Sequence, residues 1–81
     1  MGREEILERV NEIFQDVFDD EDIVVTDSTT SDDIEDWDSL EHITLIVMME
    51  KEFSMKFDIK EVNKLKNVGG MIDMILSKAN G

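Results

Sequence analysis

Apolar residues at Ile6, Val10, Ile13, Phe14 and Val17 recur at the i, i+4, i+7, i+8, i+11 spacing that lays one stripe along an α-helix. This predicts a helix over residues 3–18. Glu4, Glu5 and Glu8 stand in its opening turns, where carboxylates complement the positive end of the helix dipole. The pattern stops at Asp19. Residues 19–38 combine a β-branched patch, Ile23-Val24-Val25, with a run of Thr, Asp and Ser from residue 26 to residue 33, side chains that favour turns and caps over regular ladders. They read as one long loop, with Ile23, Ile34 and Trp37 as the side chains that pin it to a core. A strand at residues 23–26 has no partner strand elsewhere in the chain, and an unpaired strand is not stable.

Residues 39–53 carry Leu40, Ile43, Leu45, Ile46, Val47, Met48, Met49 and Phe53, apolar on more than one face, as expected of a central helix. Asp38 is its N-cap, Glu41 stands where a reciprocal capping box would place it, and Ser39 becomes the first helical residue. Asp58 caps a short third helix through Ile59, Val62 and Leu65. Asn67 caps a last helix striped by Val68, Ile72, Ile75 and Leu76. Gly69 and Gly70 in its first turn each cost about 1 kcal/mol against Ala, so that end is expected to fray. The architecture is all-α: three main helices plus one short helix around one core, with a long loop between the first and second helices.

Length and composition narrow the function. Eighty-one residues suit a single domain, residues 1–81, with a modest core. No apolar run approaches the roughly 18 residues that span a bilayer, and the start of the chain lacks the apolar segment of a secretory signal, so a cytoplasmic protein without membrane insertion is expected. Without cysteine, and with His42 as its one histidine, the chain has no thiolate nucleophile and no usual zinc ligand set; no metal site is expected. Twenty-one acidic against eight basic residues give a net charge of −13, which disfavours nucleic-acid binding. Residues 19–41 hold eleven acids and no base. Such a block is either a solvated stretch or a docking surface for basic partners. No stretch has the EF-hand spacing, so loose divalent binding is the most these acids suggest.

Asp38-Ser39-Leu40 follows the acidic loop and opens the most apolar helix. A hydroxyl in the first turn of a helix is exposed, and a phosphate attached there faces free backbone N–H groups and the positive dipole end. The site suits a phosphoester. The run Glu35-Asp36-Trp37-Asp38-Ser39-Leu40-Glu41-His42-Ile43, followed by Glu50-Lys51-Glu52-Phe53, resembles the acyl carrier protein family, and the resemblance covers nearly the whole chain. It implies an acyl-carrier-like four-helix bundle that catalyses nothing. Ser39 would receive 4′-phosphopantetheine from coenzyme A through a separate phosphopantetheinyl transferase, and the arm's thiol would carry acyl groups as thioesters. It further implies that Asp38 and Leu40 belong to the attachment site, and that Glu41, Val47 and Glu50 face basic docking surfaces on acyl-loading, elongating or transferring enzymes. A monomer is expected.

Trp37, Thr44, Lys51, Lys60 and Lys64, together with the absence of proline, depart from the housekeeping fatty-acid pattern. They point to a specialised carrier in a lipid or polyketide-type pathway. The alternatives are an aminoacyl or peptidyl carrier, a divalent-ion-binding domain, or an acidic adaptor whose Asp38-Ser39-Leu40 is a plain helix start. His42 lies three residues after Ser39, neighbours on a helix. A hydrolytic Ser–His pair would still need a third group and an oxyanion site, so His42 is expected to be a surface side chain and Trp37 a loop anchor. Met48, Met49, Met71 and Met74 fall at core or core-edge positions. Their adaptability would suit an interior that opens for an acyl chain, with loading then stabilising the fold.

Overall fold

The computed structural model describes residues 2–65 and 67–80. Four helices follow in order: α1 (Arg3–Phe18), α2 (Ser39–Phe53), α3 (Ile59–Lys64) and α4 (Val68–Asn80). The all-α architecture predicted from the stripes is the one observed. α1 buries Ile6, Val10, Ile13 and Phe14, and α2 buries Leu45, Ile46, Met49 and Phe53. Against them α4 packs Val68, Met71, Ile72 and Ile75, and α3 contributes Val62. The side chain of Ile59, expected in the stripe of α3, lies outside the described residues, and Leu65 is the residue that caps the end of that helix. α1 and α2 both end on a residue in the left-handed region, Asp19 at φ 50° and Ser54 at φ 53°. Asp is one of the few non-glycine types that adopts this conformation readily, because its short polar side chain bonds locally.

The capping pattern differs from expectation at α2. Asp38 Oδ1 accepts from the Glu41 N–H at 2.9 Å. The N–H of Asp38 donates instead to Asp36 O at 3.1 Å, so the reciprocal half of the box is absent. A reciprocal box forms at α3, where the Asp58 side chain caps the first turn and the Glu61 carboxylate accepts from the Asp58 N–H at 3.4 Å.

The long loop is anchored more deeply than its apolar pattern suggests. Val25, not Ile23, is its innermost aliphatic residue at 1% exposure, Trp37 is 7% exposed, and Ile23 and Ile34 are half-buried. The reason lies on α1. Asn11 donates its amide to Val25 O at 3.2 Å and accepts from Val25 N at 2.7 Å, while the Gln15 amide donates to Ile23 O at 2.9 Å. Side-chain amides thus satisfy the extended backbone that lacks a partner strand.

Nor is the start of α4 loose. Val68 N donates to Thr29 O and Gly69 N to Asp27 O, both at 2.9 Å, and Asn67 Oδ1 caps Gly70 N at 2.7 Å. A Cβ on Gly69 would stand 2.7 Å from Asp27 O, so the glycine lets the loop backbone approach the helix. Its propensity cost is offset by the bonds made there. Arg3 completes the seam by pairing with Asp27 of the loop and Asp73 of α4; hydrogen bonds to Asp73 and Asp27 hold its pKa above the usual arginine value.

Candidate functional site

Ser39 is the first residue of α2 and is exposed, as is Asp38 before it. The cap consumes the Glu41 N–H, and His42 N donates to Asp38 O at 2.9 Å. The N–H groups of Ser39 and Leu40 have no intrahelical partner by helix geometry, which leaves two donors and the positive dipole end beside the Ser39 hydroxyl. A cleft of about 400 Å³ opens at this point, lined by Ser31, Trp37, Asp38, Ser39, His42, Ile43 and Leu65. It combines an exposed alcohol, anion-accepting N–H groups and space for a flexible substituent. A phosphoester on Ser39 fits these residues.

His42 is not a free surface side chain. Its ring lies edge to edge with the Trp37 indole, with centroids 6.0 Å apart and planes 19° from parallel. Trp37 Nε1 donates to His42 Nδ1 at 3.2 Å, and His42 Nε2 lies 3.2 Å from Val62 O. An indole N–H only donates, so Nδ1 accepts and the proton of the neutral ring sits on Nε2, donating to Val62 O. With both nitrogens engaged, His42 holds no lone pair for the Ser39 hydroxyl, and a Ser–His nucleophile is not assembled. Periodicity placed His42 beside Ser39 but carried no sign of Val62, twenty residues further on.

Along α2, Leu40, Ile43 and Val47 are 70%, 59% and 42% exposed, an i, i+3, i+7 strip leading away from Ser39. Val47 is one of the expected docking residues and Leu40 an expected part of the attachment site; Ile43, exposed between them, was not singled out. The signal for it was the surplus of apolar positions in a helix that buries one face. Glu41 is half-exposed one residue beyond Leu40. Glu50 lies about half a revolution from it around the helix, and its Oε2 accepts from the Phe57 N–H at 2.9 Å. The structure therefore brings Ser39, Asp38, Leu40 and Glu41 together at one end of α2, sets Val47 farther along the strip, and gives Glu50 a bond that holds the α2–α3 connection. Among the described residues, no group of three or more His, Cys, Asp or Glu is arranged to hold a metal ion, and no helix is long and apolar enough to cross a membrane.

Residues 8–75 match the family described as the phosphopantetheine attachment site. Over 81 residues the chain is 36% identical to the acyl carrier protein of Petrotoga mobilis, covering 99% of this chain and 94% of that one. This chain belongs to the acyl carrier protein family. The acyl carrier protein of Thermosynechococcus vestitus is 35% identical over 79 residues, 96% of each chain. The solution structure of holo acyl carrier protein from Geobacter metallireducens superposes with a TM-score of 0.85 at 44% identity, covering 91% of this chain and 85% of that one. The present acyl carrier protein accordingly has a phosphopantetheine attachment site and acts as a non-catalytic carrier.

Proposed function

We propose that Ser39 is the residue that carries 4′-phosphopantetheine, and that this carrier delivers acyl thioesters within a dedicated lipid or polyketide-type pathway in the cytoplasm. The observation that carries the assignment is the exposed Ser39 hydroxyl at the start of α2, beside the cleft. Its oxygen would displace adenosine 3′,5′-bisphosphate from coenzyme A on a phosphopantetheinyl transferase, releasing the hydroxyl proton. Asp38 acts as the cap that fixes the turn, and Leu40 is the exposed apolar contact for the transferase. Glu41 and Val47, with Ile43 between them, offer acyl-processing partners an apolar strip edged by negative charge. Glu50 serves partners that reach around the helix. Lys51 and Lys60 support the specialised rather than the housekeeping reading, since local positive charge repels docking surfaces tuned to an all-acidic helix pair, and Trp37 before Asp38 is a further departure from the housekeeping pattern.

An aminoacyl cargo is the second reading. Asp38 and Ser31 at the cleft favour it, because a carboxylate and a hydroxyl are the partners an ammonium group requires. Intact mass after incubation with coenzyme A and a broad-specificity transferase tests the attachment. One phosphopantetheine is expected on the wild type and none on Ser39→Ala. Modification surviving in Ser39→Ala, or an unmodified wild type with several transferases, overturns the assignment.

A further inference from the structure

The cleft at Ser39 and the hydrophobic core are separated by one layer of side chains. Trp37 lines the cleft and also meets Phe14 edge-on, with centroids 5.1 Å apart at 82°. Phe14 is fully buried in the core. His42 lies edge to edge with the indole and lines the same cleft. Two hydrogen bonds fix the pair in place: Trp37 Nε1 to His42 Nδ1, and His42 Nε2 to the Val62 carbonyl of α3, each at 3.2 Å. The histidine thus stands between α2 and α3 as well as behind the cleft. Beyond the layer, Leu45, Met49, Met71, Ile72 and Ile75 are fully buried.

A chain passing from Ser39 into this interior on the Trp37 side of the cleft must displace the indole or the imidazole. Doing so strands an indole N–H, two ring nitrogens and a backbone carbonyl in part-buried surroundings, where unpaired polar groups are strongly disfavoured. The cleft itself offers the Ser31 hydroxyl and the Asp38 carboxylate beside Ile43 and Leu65. Its volume lies near the low end of small-molecule sites, which start at about 300 Å³.

We propose that Trp37 and His42 form a partition that holds the cargo in the cleft beside Ser39 and out of the core, and that the cargo class is a short or polar acyl group rather than a long alkyl chain. This rests on the carrier reading and narrows it. The pair acts by position: neither side chain takes part in forming or breaking the thioester.

The test uses holo-protein whose phosphopantetheine load is confirmed by mass, acylated with acetyl, butyryl or octanoyl groups, in wild type and His42→Ala. The readouts are the melting temperature and the methyl resonances of Met49 and Met71. In wild type, octanoyl loading is expected to leave both methyls in place and the melting temperature within about 1 °C of unacylated holo-protein. In His42→Ala the octanoyl form is expected to shift both methyls and to melt more than about 4 °C higher, while the acetyl form does neither. If His42→Ala does not fold, Trp37→Phe, which keeps an aromatic ring but loses the donor, carries the same comparison. Octanoyl-dependent shifts in wild type as large as in the variant, or none in the variant, overturn the partition. A chain that never takes up phosphopantetheine overturns the carrier reading and this one with it.

Discussion

Glu41 and Glu50 flank the same helix and answer to different forces. Glu41 stands beside the attachment region, so under the proposed docking role Glu41→Lys is expected to slow phosphopantetheine transfer at low salt through slower association. The deficit should shrink as added salt screens the surface charge. An unchanged low-salt rate in a stopped assay removes Glu41 from the docking surface. Glu50 accepts a hydrogen bond from Phe57 N, so Glu50→Ala is expected to destabilise the fold by about 1 to 2 kcal/mol, seen as an earlier thermal transition. Glu50→Gln keeps an acceptor and should lose less. The Ser39 neighbourhood was legible in the sequence because Asp38, Ser39, Leu40 and Glu41 are consecutive and a helix start dictates their roles. The bonds of His42 were not, because they depend on Trp37 in the loop and on a carbonyl of α3, which no local pattern encodes.

The two glycines that open α4 separate propensity from packing. Alanine suits a helix better than glycine by about 1 kcal/mol, yet a Cβ at Gly69 meets the Asp27 carbonyl at 2.7 Å, a backbone atom that moves only with the loop. Gly69→Ala is therefore expected to cost about 1 to 3 kcal/mol. At Gly70 the nearest atoms belong to the side chains of Asn67 and Leu65, at 3.3 and 3.4 Å, which adjust more easily. Gly70→Ala should change stability by no more than about 0.5 kcal/mol. Circular-dichroism melts of both variants decide the point, and equal effects would contradict it. The bounds of α1 and α2 followed from their stripes and from Asp19 and Asp38. The loop did not read as well: whether Ile23 or Val25 faces inward is set by Asn11 and Gln15 of α1, a tertiary choice that overrides the apolar pattern. The capping box likewise moved from Asp38 to Asp58, because Asp38 N found a partner in Asp36.

Taken whole, the molecule carries a net charge of −13 on an accessible surface of 5251 Å² among the described residues. Of the ion pairs described, only that of Arg3 with Asp27 reaches into residues 19–41. Self-repulsion there should weaken the compact state at low ionic strength. Sodium chloride is expected to raise the melting temperature, and magnesium to do so at lower concentration by gathering at clustered carboxylates, weakly because no cage is built. Independence from both salts would contradict this. The loop-to-α4 seam has a further consequence, visible in hydrogen exchange. Amides in the first turn of a helix ordinarily lack partners and trade their protons rapidly. Val68 and Gly69 donate theirs to Thr29 and Asp27, so both should exchange slowly, and at the same rate as Val25, whose proton is held by Asn11. Their deuterium uptake should then rise together, through a single opening in which residues 25–29 and the start of α4 come apart as one cooperative unit.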